Sequence, residues 1–215
     1  MAPKKKLLIL GLGGLAAAIA DIAEETGDFD LLGFVINEPP FTRGASLMGK
    51  PIFWIDEVAD FDKDCLAICP LQSARKIVLI DAVRAFGIQL TSLVHPSAYV
   101  SGTVEIGIDV FINSGVQIAQ NTRLGNHVVI NRGALIGHDV VVGDLCTISP
   151  GANIASHVVI GSGARIGMGA NIIENIQIGA NSIIGAGSLI TQDVPDRVKI
   201  IGMPARIIER DLEIL

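Results

Sequence analysis

From Val94 to Ile190 an aliphatic residue recurs at every sixth position without interruption, through Val100, Ile106, Ile112, Ile118, Leu124, Ile130, Ile136, Val142, Ile148, Ile154, Ile160, Ile166, Ile172, Ile178 and Ile184. All seventeen positions are Val, Ile or Leu, and four residues after each comes a second ordered position that is nearly always small or β-branched, as at Val110, Thr122, Ala134, Cys146 and Ser182. A period of six suits neither a 3.6-residue helix nor an alternating strand; it is the mark of a hexapeptide β-helix. Each hexad is then a short strand and a turn. Three hexads close a triangular coil of about eighteen residues, and coils stack at roughly 4.8 Å. Hydrophobic content of 50% with only 4% aromatics fits a prism filled by Ile and Val.

The rhythm begins so abruptly at Val94 that two domains are expected, residues 1–92 and 93–215, with five to six coils in the second. The first reads as alternating strands and helices. Lys6–Leu10 is a strand, Gly11-Leu12-Gly13-Gly14 a turn, a helix runs to about Thr26, and Leu31–Ile36 is the next strand. Residues 39–50 read as a loop, followed by a strand over Pro51–Trp54, a short helix over Ile55–Phe61, a strand over Leu66–Cys69, a helix over Ser73–Phe86 and a last strand over Leu90–Leu93. The expected architecture is a small parallel, Rossmann-like α/β sheet. Gly11, Gly13 and Gly14 let a ligand approach the backbone at a helix start, where free N–H groups favour phosphate. Such a turn is weak evidence alone. Asn37 and Glu38, at the end of the second strand, stand where these folds hold a ribose or base.

The net charge of −6 argues against a nucleic-acid surface, which needs clustered Lys and Arg. Three cysteines, Cys65, Cys69 and Cys146, are too few for a disulfide framework and favour a reducing compartment. Lys4-Lys5-Lys6 followed by the apolar run to Ala20 superficially matches a secretory signal, but the amphipathic pattern continues through Ile22, Ala23 and Glu24. The run is also too short to cross a membrane. A cytoplasmic protein without membrane or nucleic-acid partners is expected.

His138 follows the inward Ile136 by two residues, so its side chain should point out of the prism, and Asp139 follows it. A His beside a carboxylate suits removal of a proton from an attacking amine or hydroxyl. His95, His127 and His157 are read as structural. Eighteen-residue stacking also places Ile166-Gly167-Met168-Gly169 under Ile184-Gly185-Ala186-Gly187, where missing side chains would expose amides to a long flexible ligand. Tight corners would equally call for glycine.

The hexads, the closing segment Gly185–Pro195, the exit Gly202-Met203-Pro204-Ala205-Arg206 and the run Asn131–Asp139 resemble the hexapeptide-repeat acyltransferases. With the α/β segment in front, the whole chain resembles their sialic-acid O-acetyltransferase and nucleotide-amino-sugar N-acetyltransferase group. That resemblance implies a left-handed β-helix, acetyl-coenzyme A as co-substrate and no metal, His138 as general base supported by Asp139, and a homotrimer. It further implies that Asn131, Thr147, Gly167, Met168, Gly185 and Ala186 line the cofactor. Gly11, Gly13, Gly14, Leu15, Asn37, Glu38 and Cys69 would meet a nucleotide-linked sugar. The chain departs from the family pattern at Leu15 and Thr147, where relatives commonly have His, and at Cys69-Pro70, where they have Gly. The implied activity is N-acetylation of a UDP-4-amino sugar; O-acetylation of a sugar such as a sialic acid would use the same base. A β-helix zinc carbonic anhydrase would need three converging histidines, of which only His138 and His157 approach on adjacent coils. A non-catalytic assembly protein would fail to bind coenzyme A.

Overall fold

The apolar run after Lys6 forms β1 (Lys5–Leu10), whose last four side chains are fully buried. It feeds α1 (Gly14–Thr26), where Ala16, Ile19, Ala20 and Ala23 make one buried stripe at helical spacing. Gly27, in the left-handed conformation, ends the helix by donating its N–H to the Glu24 carbonyl. β2 (Phe29–Ile36) returns parallel to β1. Their register slips by one residue between Leu7 and Leu8, and the strand re-enters at Gly33 with φ of 157°. A Cβ there would lie 2.8 Å from the Phe53 ring, so the position admits only glycine.

The segment expected as a loop contains a hairpin, β3 (Ser46–Leu47) antiparallel to β4 (Lys50–Trp54), turned by Met48 and Gly49 with φ of 52° and 72°. Then come a 3₁₀ turn over Ile55–Asp60, β5 (Leu66–Ile68), α2 (Arg75–Ala85) and β6 (Gln89–Leu90). The six-stranded sheet has the order β3-β4-β2-β1-β5-β6. It stops at Leu90, short of the expected Leu93: the Thr91 N–H supplies the last ladder bond, to the Ala67 carbonyl, and Leu93–Val94 pairs instead within the repeat region. This computed structural model describes residues 3–37, 43–70 and 75–212, and the chain divides into two compact units, Met1–Leu93 and Val94–Leu215.

From Tyr99 to Ile190 every rung is two residues long and pairs, parallel, with a rung eighteen residues away, as in Val129↔Thr147, Leu135↔Asn153 and Val141↔Val159. The three faces form sheets of eight, six and five strands. A single figure of five to six coils therefore does not describe it: one face is lengthened by Lys199–Gly202 and the antiparallel Ala205–Glu209. The inward residues from Ile112 to Ile190 make one continuous core. Each buried aliphatic contributes at most about 1.5–3 kcal/mol. Polar residues in the prism are satisfied by carbonyls: Thr122 Oγ1 donates to Gly137 O at 2.9 Å, Cys146 Sγ to Gly161 O at 3.2 Å and Ser182 Oγ to Pro195 O at 2.7 Å.

Each corner needs a residue with positive φ, and stacking aligns these into columns. One corner is all glycine, with Gly115, Gly133, Gly151, Gly169 and Gly187 at φ of 61° to 67°. The next carries Asn121, Asp139, His157 and Asn175 at 57° to 62°. The third has Asp109, His127, Leu145, Gly163 and Asn181. Asn, Asp and His are the side chains that best tolerate this conformation. No helix among the described residues is long and apolar enough to cross a membrane.

Candidate active site

The corner that carries side chains holds the reactive groups. Successive turns are tied by backbone bonds, Asp139 N–H to Gln120 O at 3.0 Å, His157 N–H to His138 O at 3.1 Å and Asn175 N–H to Ser156 O at 3.2 Å. Inside this frame His138 Nδ1 lies 2.7 Å from Asp139 Oδ2, and Asn121 Nδ2 donates to the other carboxylate oxygen at 3.2 Å. Asp139 is thus held from two sides. The His138 hydrogen bond first, and that from Asn121 second, keep its carboxyl below the usual carboxylate range. An ionised Asp139 accepts, so Nδ1 carries the proton and the Nε2 lone pair is left to receive another. Both side chains are half-exposed. Beside them a groove of roughly 410 Å³ is lined by Thr103, Glu105, Asn121, Arg123, Asp139 and Val141.

Asn121 was not singled out in the sequence, although it stands eighteen residues before Asp139. His157, read there as structural, lies against His138 with ring centroids 5.1 Å apart and planes at 87°. His138, Asp139 and His157 each offer a donor atom within 4.8 Å of the others. The remaining histidines are engaged elsewhere: His95 Nδ1 with Ser97 at 2.9 Å, and His127 Nδ1 with the fully buried Asp109 at 2.8 Å. His127 does not join His138 and His157.

The residues expected along a cofactor run up a different corner and the face before it. Asn131 is buried, its Nδ2 donating to Ile148 O at 3.3 Å, and Thr147 is buried on the neighbouring rung. Met168 and Ala186 point outward and are exposed. The glycines beside them differ from expectation. Their amides do not face outward: Gly167 donates to Ile184 O, Gly169 to Pro150 O, Gly185 to Ile200 O and Gly187 to Met168 O. A Cβ on Gly167 would lie 2.6 Å from Ala186 N, and one on Gly185 would strike Ile201, so stacking of coils explains both.

In the first unit Gly13 and Gly14 are exposed at the start of α1, with open space where side chains would stand and no side-chain cap on the helix. Gly11 is buried and donates to Val35 O at 2.7 Å. Leu15 and Asn37 are half-buried. Cys69 corrects the sequence reading: it is 1% exposed, packed in the core, with Sγ 3.7 Å from Leu10 O, and offers no surface to a ligand. Glu38 lies outside the described residues.

Repeats, coils and corner geometry define a hexapeptide-repeat left-handed β-helix protein. The bacterial transferase hexapeptide model (six repeats) matches residues 121–156 and 157–192. Within that class the chain is similar to PerB of Caulobacter crescentus, solved with CoA and GDP-perosamine, at 29% identity over 94% of this chain and 96% of that one with a TM-score of 0.86. It is also similar to the acetyltransferase domain of PglB from Neisseria gonorrhoeae in complex with acetyl coenzyme A, at 26% identity over 96% and 100% with a TM-score of 0.86. WeeI from Acinetobacter baumannii, 23% identical over 94% and 99% with a TM-score of 0.85, shares the fold. No curated protein sequence matches. The resemblance to hexapeptide-repeat sugar acetyltransferases is borne out.

Proposed function

We propose that this protein transfers the acetyl group of acetyl-coenzyme A to the amine of a nucleotide-linked 4-amino sugar. The observation that carries this is the half-exposed His138–Asp139 pair, with Nδ1 held by the carboxylate, on a chain similar over nearly its whole length to a protein solved with CoA and GDP-perosamine. The amine nitrogen attacks the thioester carbonyl as His138 Nε2 takes its proton; the C–N bond forms, the C–S bond breaks, and the imidazolium returns the proton to the departing thiolate. Asp139 fixes the ring and stabilises its charged form, with Asn121 holding the carboxylate.

Residues 1–92 are proposed as a Rossmann-like sugar-nucleotide domain, with phosphates at the Gly13-Gly14 helix start, and 93–215 as the acetyltransferase domain. The donor is proposed to lie along Asn131, Thr147, Gly167, Met168, Gly185 and Ala186. That column and His138 stand at different corners of one prism face, roughly 15–20 Å apart for six extended residues. A homotrimer, which sets one chain's histidine corner beside its neighbour, closes the site economically. The working compartment is proposed to be the cytoplasm.

The test is thiol release from acetyl-coenzyme A across UDP- and GDP-linked 4-amino sugars, with a sugar hydroxyl acceptor alongside. His138→Ala should lower kcat by about 10²- to 10⁴-fold while leaving coenzyme A affinity nearly unchanged. A variant keeping more than about a tenth of wild-type kcat would remove His138 from the role of base.

A further inference from the structure

His157, packed on His138 from the next coil, has no part in the acetyl-transfer chemistry. His157 occupies the left-handed corner position one coil beyond Asp139, and its backbone N–H is fastened to the His138 carbonyl, so both rings spring from a rigid frame. Two imidazoles on one tetrahedral zinc, with Zn–N of about 2.0–2.1 Å, place their ring centroids about 5 Å apart. The observed separation is 5.1 Å. Asp139 grips Nδ1 of His138, which is how metal-ligating histidines are commonly oriented, by a carboxylate on the nitrogen the metal does not use. One ligand atom from each of His138, Asp139 and His157 lies within 4.8 Å of the others, where two nitrogens on a tetrahedral ion stand roughly 3.3 Å apart. His157 is exposed and His138 half-exposed, so side-chain rotation can bring the two nitrogens to that spacing.

We propose that His138 and His157 form a binding site for a divalent ion that favours imidazole, such as zinc, oriented by Asp139, and that the bound ion blocks acetyl transfer. The ion bonds to the Nε2 lone pair that would otherwise receive the acceptor's proton, so occupancy and turnover exclude each other. The binding half rests on geometry alone; the blocking half rests on the proposed function.

Calorimetric titration of the full chain with zinc chloride alone, without acetyl-coenzyme A, separates the two. Wild type should bind one zinc per chain. His157→Asn keeps a residue type that this corner already accepts at Asn121 and Asn175, and should weaken zinc binding at least tenfold. Asp139→Asn should weaken it by about 10- to 100-fold. Equal binding by wild type and His157→Asn, or no binding by either, overturns the proposal. In the thiol-release assay the ratio of rates with and without zinc should fall well below one for wild type, recover with chelator, and stay near one for His157→Asn. Zinc that binds at this pair yet leaves that ratio at one overturns the blocking half. A zinc-free protein inactive with every acceptor would instead defeat the acetyl-transfer reading, leaving the titration result standing.

Discussion

Two corners of the same β-helix ask the same thing of the backbone and answer it differently. Gly115, Gly133, Gly151, Gly169 and Gly187 take φ of 61° to 67°, and Asn121, Asp139, His157 and Asn175 take 57° to 62°. Glycine meets this demand without strain, whereas a side chain in the left-handed region costs about 1–2 kcal/mol. The second corner bears that cost at each coil. Its side chains converge, since Asn121 and His138 both bond to Asp139 and His157 packs on His138. Backbone geometry thus sets where a functional side chain is tolerated but not which corner receives one.

Converting one corner into the other sharpens that contrast most. Asp139→Gly should leave thermal stability unchanged or slightly raised while kcat falls, by less than the roughly 10²- to 10⁴-fold loss expected for the base itself. A stability loss without a kcat loss would mean the carboxylate serves the fold. Gly167→Ala comes next. Its φ is not positive, yet its Cβ would meet Ala186 N and Ile184 O at 2.6 Å, so denaturant unfolding should show a loss of about 1–3 kcal/mol or more. Gly151→Ala has open space around its Cβ and only the left-handed conformation against it, which predicts about 1–2 kcal/mol by the same measurement. Were the two glycine variants equal, steric stacking would not be what separates them. Asn175→Gly should be the mildest, within about 0.5 kcal/mol of wild type.

A pH experiment probes the interior rather than the corners. Burial pushes the Cys146 thiol up from 9.0 to about 12. Above pH 9 the unfolded chain gives up this proton while the folded chain keeps it, so stability falls as pH rises through that window. Native protein should resist thiol alkylation near neutral pH, and Cys146→Ser should flatten the alkaline loss.

The inward positions from Ile112 to Ile190 and the His138–Asp139 pair were legible because strict periodicity states both the fold and which side chains leave the prism, although at the first coil Ile106 is 39% exposed. The supporting residues were not. Asn121 and His157 belong to the site only through stacking, and at left-handed turns Asn and His are what the backbone accepts anyway. The glycines were ambiguous for the opposite reason: the spacing that would bare backbone to a ligand also serves stacking, and at Gly167 and Gly185 a Cβ would meet the next coil. In the first unit the Met48-Gly49 hairpin was hidden in a loop-like composition, and Cys69, at a strand end, proved to be core.

Because each coil is bonded only to the coils on either side, the stack behaves as a one-dimensional array in which opening starts at the ends and spreads inward. The Leu135–Ile136 rung that carries His138 has two rungs of its face on one side, Tyr99–Val100 and Gln117–Ile118, and three on the other, ending at Leu189–Ile190. Fraying must therefore consume several coils before it reaches the imidazole. Amide hydrogen exchange should then be slowest near the reactive corner, so position in the array protects the backbone beneath the hydrogen bonds that hold His138 and Asp139.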